Sequence, residues 1–174
     1  MVEPIFVIMP IYLVDSNFFI QAHRVTYPID IATGFWNKVK QLANSGIIVS
    51  IDKVKKELYD KNDALEEWCK ANLPTNFFKD SSEIIPEYGR ISEWAASMSN
   101  HYMPSAISDF LDAEEADAFI IAFALFDIQN RIIVTQEVSQ PGRKNKIKIP
   151  EPCNVFGIRY INTIEMFRML GETF

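Results

Sequence analysis

Residues Ala118–Phe126 contain no polar side chain. At helical period such a run is apolar on every side, so it must lie inside the molecule rather than on its surface. A chain of 174 residues is long enough to build a core around it as one domain spanning 1–174. Hydrophobic residues make up 48% and charged residues 23%, a globular balance that argues against disorder. Thirteen Phe, six Tyr and three Trp are a heavy aromatic load, expected mainly in that core.

Short apolar runs alternate with helical patterns along the rest of the chain. Strands are expected at 11–14, 47–50, 132–135 and 159–162, apolar on both faces as in a parallel sheet. Helices are expected near 17–23, capped by Ser16 or Asn17, and from Thr33 to the terminating Gly46. Asp52 and Asp63 cap helices reaching about Tyr59 and Ala71. Further helical stretches fall at 82–99, 105–111 and 114–128, with a helical turn at 152–156 and a last helix capped by Thr163. Strands alternating with helices predict an α/β fold, layered around a mainly parallel sheet. Right-handed crossovers would place the carboxyl ends of the strands along one edge.

The net charge of −6 and pI of about 5.0 are unlike a non-specific nucleic-acid binder, unless acids facing a bound cation account for part of the balance. Cys69 and Cys153 are far apart and in no metal spacing, so they read as free thiols of a reducing, cytoplasmic compartment. The apolar run from Pro4 to Val14 is too short to span a bilayer and contains Pro10. It lacks the basic region of a signal peptide, and Met9 is an alternative start. No membrane association is expected.

Four acids stand at expected strand ends or on adjoining helices. Asp15 follows Ile11-Tyr12-Leu13-Val14 and precedes Ser16-Asn17. Alone, it is equally well read as a helix N-cap. Glu57 lies at the edge of a buried helical stripe with Val54 and Leu58. Asp117 opens the wholly apolar helix, with Ile120 and Ile121 at its next turn. Glu114 is one turn back and is a candidate for a further ligand or acceptor, whereas Glu115 is expected to face solvent. Glu137 follows the third strand, where Thr135 could orient a carboxylate or a water. Each acid taken singly has an ordinary structural reading.

Together, clustered carboxylates are costly unless cations hold them, which points to Mg²⁺ or Mn²⁺ with oxygen ligands. Two such ions about 3.5–4 Å apart can activate a water and stabilise the leaving oxygen of a phosphodiester. His23 and His101 are isolated, and neither a Ser–His pair nor paired Cys offers a rival catalytic route. A receiver domain is disfavoured because Asp15 has no neighbouring acid.

These residues resemble the motifs of the PIN-like nuclease superfamily. Leu13-Val14-Asp15-Ser16-Asn17 resembles its first motif, Lys56-Glu57-Leu58 its second, Ala116-Asp117-Ala118-Phe119 its third, and Val134-Thr135-Gln136-Glu137 its fourth. The Tyr27-Pro28, Gly34-Phe35-Trp36 and Lys148-Ile149-Pro150 stretches are similar to one stand-alone branch of it. The resemblance implies a three-layer α/β/α sandwich and Mg²⁺- or Mn²⁺-dependent cleavage of single-stranded RNA. It implies Asp15, Glu57, Asp117 and Glu137 as metal-binding and catalytic residues, with Asn17 and Thr135 orienting them. Glu137 departs from the commoner Asp at the fourth position. Many small stand-alone members are toxins of toxin–antitoxin pairs, which implies an antitoxin-type protein inhibitor and a homodimer. A catalytically inactive regulatory or binding domain of the same fold is the alternative.

Arg143, Lys144, Lys146 and Lys148 place four positive charges within six residues. Such a loop is read equally as an RNA phosphate contact beside an acidic site and as a solvated surface segment.

Overall fold

The computed structural model describes residues 8–174, so the first part of the Pro4–Val14 run lies outside the described residues. Strands β1 (Ile11–Val14), β2 (Ile48–Ile51), β3 (Phe78–Lys79), β4 (Arg131–Val134) and β5 (Tyr160–Ile161) form one sheet. Their order is β3-β2-β1-β4-β5 and every pairing is parallel. All five carboxyl ends therefore share one edge. Register brings Tyr12 beside Ile48 on one side of β1 and Ile132 on the other, and Val14 beside Val134. Tyr12, Leu13 and Val14 are buried, as are Ile132, Ile133 and Val134, because helices cover both faces of the sheet.

The flanking helices are α1 (Ser16–Gln21), α2 (Thr33–Asn44), α3 (Asp52–Leu58), α4 (Ala64–Asn72), α5 (Ile85–Ser97), α6 (Pro104–Phe110), α7 (Asp117–Phe126), α8 (Pro150–Phe156) and α9 (Thr163–Leu170). The architecture is the expected α/β sandwich around a parallel sheet, a PIN-like fold. Helix α7 packs between α5 and β4, and its residues Ala118–Leu125 are all buried; only Phe126 emerges, half exposed. Phe35 of α2 lies in an aromatic cluster with Phe18, Tyr27, Trp36, Phe167 and Phe174. No helix among the described residues is long and apolar enough to cross a membrane.

Several boundaries differ from the sequence reading, for local reasons. Helix α7 starts at Asp117 rather than 114, because Ala113 and Glu114 form a turn. Helix α1 is capped by Asp15 itself, whose side chain accepts from the Phe18 amide, rather than by Ser16 or Asn17. Asn162, not Thr163, caps α9, through a capping box with Glu165. Thr33 and Asp52 are first helical residues rather than caps. The 82–99 stretch divides into a 3₁₀ turn (Ser82–Ile84) and α5. A π-helical turn over Ala22–Thr26 and the two-residue edge strand β3 were not expected.

Candidate active site

Asp15 closes β1 and is 2% exposed. One oxygen, Oδ1, accepts the Phe18 amide at 2.8 Å. The other, Oδ2, accepts the Thr135 hydroxyl at 2.7 Å. Thr135 follows β4, and its Oγ1 accepts in turn the Glu137 amide at 3.1 Å. A polar chain thus links the carboxyl ends of β1 and β4. Ser50 of β2 ties in the other neighbour, its hydroxyl donating to the Val14 carbonyl at 2.7 Å. These side-chain bonds knit three strand ends together around one carboxylate.

Glu57 reaches from α3 toward the start of α7, where its Oε1 accepts the Ala116 amide at 3.0 Å. That bond sets the entry of α7 and therefore Asp117, the next residue. Glu137 arrives from the segment after β4. Its Oε2 accepts the Ile149 amide at 2.8 Å, and its Oε1 lies 3.3 Å from the Lys146 ammonium. The Glu137 side chain is 8% exposed.

Glu57 and Glu137 lie near enough to both aspartates to oppose their ionisation. Burial is the largest cause raising the Asp15 pKa, to about 7, against the pull of its Thr135 and Phe18 bonds; Glu137 and Glu57 push it further up. Asp117 is raised to about 8, again first by burial, then by Glu137 and Asp15, with Lys146 opposing and Glu57 adding. Asp117 keeps part of its surface open to solvent. Burial first, and then the nearby Glu57 and Glu137, therefore raise two carboxyls about a hundred positions apart in the chain.

Asp117, Glu57 and Asn17 line a cleft of about 270 Å³ together with Glu115, Lys61 and Lys146. A groove of about 360 Å³ continues from Asp117 and Lys146 past Asn145 to Arg143. Glu114, the candidate further ligand, has an exposed carboxylate paired with Lys56 and lines neither cavity. Glu115 is exposed, as expected, and it also lines both cavities. The basic loop divides. Lys146 lies over the acids, Arg143 lines the groove and bonds Asn145, Lys144 is exposed, and Lys148 lines neither cavity. A separate, mostly apolar cavity of about 330 Å³ opens beside Ile11 and Arg131, at the opposite edge of the sheet. It shares no residue with the cleft.

The donor set suits a hard divalent cation. The acids supply only oxygen, and two of them carry more proton affinity than ordinary carboxyls, first because they are buried and then because other acids lie nearby. Yet among the described residues no three His, Cys, Asp or Glu side chains are gathered tightly enough to make a ready-formed cage. Geometry explains the difference: Asp15, Glu57 and Glu137 are each held by a backbone amide, and Glu137 also by Lys146. Mg²⁺ keeps several waters and needs only one or two carboxylates, so Asp117, which lines the cleft, with one neighbouring acid would suffice for it.

The chain thus has an α/β sandwich of PIN-like fold, with an acidic cleft at the carboxyl ends of its central strands. The chain belongs to the family described as Domain of unknown function (DUF4411), whose model matches residues 12–174. No curated protein matches it. Among solved structures it is similar to a chain of VapBC2 from Rickettsia felis, crystallised bound to a DNA fragment from their promoter. Identity is 17% and the TM-score 0.50, over 87% of this chain and 98% of that one, so the likeness is one of fold.

Proposed function

We propose that this protein is a divalent-metal-dependent endoribonuclease that cleaves single-stranded RNA. The observation that carries this reading is the convergence of four acids at one edge of a parallel sheet: Asp15 at the end of β1, Glu137 after β4, and Glu57 and Asp117 lining the cleft, with Glu57 and Glu137 each raising both aspartates. Asp15 and Asp117 would hold Mg²⁺ or Mn²⁺, with Glu57 and Glu137 bordering it. Such an ion, when bound, supplies charge stabilisation to a phosphodiester under attack by water. Thr135 fixes the Asp15 carboxylate through its hydroxyl, leaving that group little freedom to turn. Asn17, Lys61 and Glu115 line the place where a scissile phosphate would sit, and Arg143 lies along the adjoining groove, where a backbone phosphate could be held.

Purified protein with Mn²⁺ should cut single-stranded RNA, and Asp15→Asn or Asp117→Asn should abolish cutting. Equal activity in those variants would assign the cleavage to a contaminant.

The likeness in fold to a chain of VapBC2 supports a toxin-type role with an antitoxin-like protein inhibitor and a homodimer. Copurification with the product of an adjacent reading frame, and release of nuclease activity on its removal, tests that role. One observation favours a second reading, a binding domain without turnover: the carboxylates are engaged by amides and by Lys146 rather than poised as a cage. A metal titration separates the two, since a binding-only domain would take up neither Mg²⁺ nor Mn²⁺.

A further inference from the structure

The segment from Ser139 to Ile149 crosses from the end of β4 to the start of α8. It is anchored at both ends and in the middle. Glu151 Oε1 accepts the Ser139 hydroxyl and the Gln140 amide, each at 2.7 Å. The Lys144 carbonyl accepts the Met103 amide at 2.9 Å. The Ile149 amide donates to Glu137. Between these ties, Lys146 reaches over the acids. It lies 3.3 Å from Glu137 Oε1, is close enough to oppose the rise of the Asp117 pKa, and borders both the cleft and the groove that Asp117 lines.

Its two ends differ in environment. The Glu137 side chain is 8% exposed, so its negative charge sits where screening by water is weak. The Lys146 side chain is 47% exposed and stands on a segment without helix or strand, so it can leave at small expense. An ammonium in that position screens the acids with a single charge. A divalent ion there would screen them with two, and the like charges would then exclude the lysine.

We propose that Lys146 is a built-in counter-cation of the acidic cleft, and that its ion pair with Glu137 and the binding of a divalent cation are mutually exclusive. The inference rests on the metal reading above and adds a regulatory element to it. Metal entry turns Lys146 out toward the groove, and metal loss brings it back, so the cleft is never left without a cation.

The test is a calorimetric Mn²⁺ titration of the full chain at fixed pH and ionic strength, comparing the wild type with Lys146→Met and Lys146→Arg. Lys146→Met should bind Mn²⁺ about tenfold more tightly, because a competing charge has gone. Lys146→Arg keeps the charge and should stay within about twofold of the wild type. Melting curves supply the second readout. In EDTA, Lys146→Met should melt below the wild type, and saturating Mn²⁺ should raise its Tm by more than it raises that of the wild type. A residue with only a structural role would lower both curves alike. Equal Mn²⁺ affinity in the wild type and Lys146→Met would overturn the competition and leave the metal reading standing. An absence of Mn²⁺ binding in both proteins would overturn the two together.

Discussion

Asp15 does two jobs with its two oxygens. Oδ1 caps α1 and Oδ2 holds Thr135, so this buried carboxylate is a structural pin between β1, α1 and the residue that follows β4. Thr135→Val keeps the shape but removes the hydroxyl, leaving one buried carboxylate oxygen without its donor. A loss of about 1–3 kcal/mol in denaturant unfolding is expected, together with weaker Mn²⁺ binding. The raised pKa values of Asp15 and Asp117 give stability a defined pH dependence. In the unfolded chain both groups ionise near pH 4, whereas in the folded, metal-free protein they keep their protons to about 7 and 8. Their contribution is fully present below the unfolded pKa and is lost as pH rises through those folded values. Metal-free Tm should therefore fall between about pH 5 and 8, and the Asp15→Asn, Asp117→Asn double variant should flatten that slope. Mn²⁺ must displace the same protons, so its affinity should climb over the same interval. Asp15 was legible in the sequence because a strand end before a helix start is a recognisable place. The place of Glu115 on the cleft wall and the pairing of Lys146 with Glu137 were not, because they depend on a turn at 113–114 and on a crossing segment, neither of which has a periodic signature.

At the level of elements, α7 is the part that tolerates least change. Ala118, Ala122 and Ala124 are each fully buried where the helix meets its neighbours. Ala122→Leu adds bulk where no space is left, and a destabilisation of about 1–3 kcal/mol in chemical unfolding is expected. The helix also positions Asp117, so the variant should lower Mn²⁺ affinity although residue 122 lies a turn beyond the cleft. The period of apolar residues revealed α7, α2 and the three inner strands, because burial on one or all sides leaves a pattern in the sequence. It did not reveal β3, whose two residues are too few for any period and follow a Pro- and Asn-containing loop. Caps were misplaced at α1 and α9, where adjacent polar residues compete for the role, and at α2 and α3, where Ala32 and Ile51 hold the cap position without a side-chain bond.

Across the whole molecule, the strand order explains why the acids meet. The chain leaves β1 to build β2 and β3 on one side, then returns to lay β4 and β5 on the other. The order reverses between β1 and β4, and a crevice opens at the carboxyl ends of strands on either side of such a reversal. Asp15 and Thr135 stand at those two ends, while α3 and α7 bring Glu57 and Asp117 to the same edge. Long-range convergence of this kind was expected from the α/β alternation, but the partition of each carboxylate between cleft, amide and lysine was not. The most direct test is an anomalous difference map from crystals grown with Mn²⁺. A peak within coordination distance of both the Asp15 and Asp117 carboxylates, with Lys146 withdrawn from Glu137, is expected. Mn²⁺ bound elsewhere, or full-strength crystals showing no peak between those two carboxylates, would contradict the shared metal site.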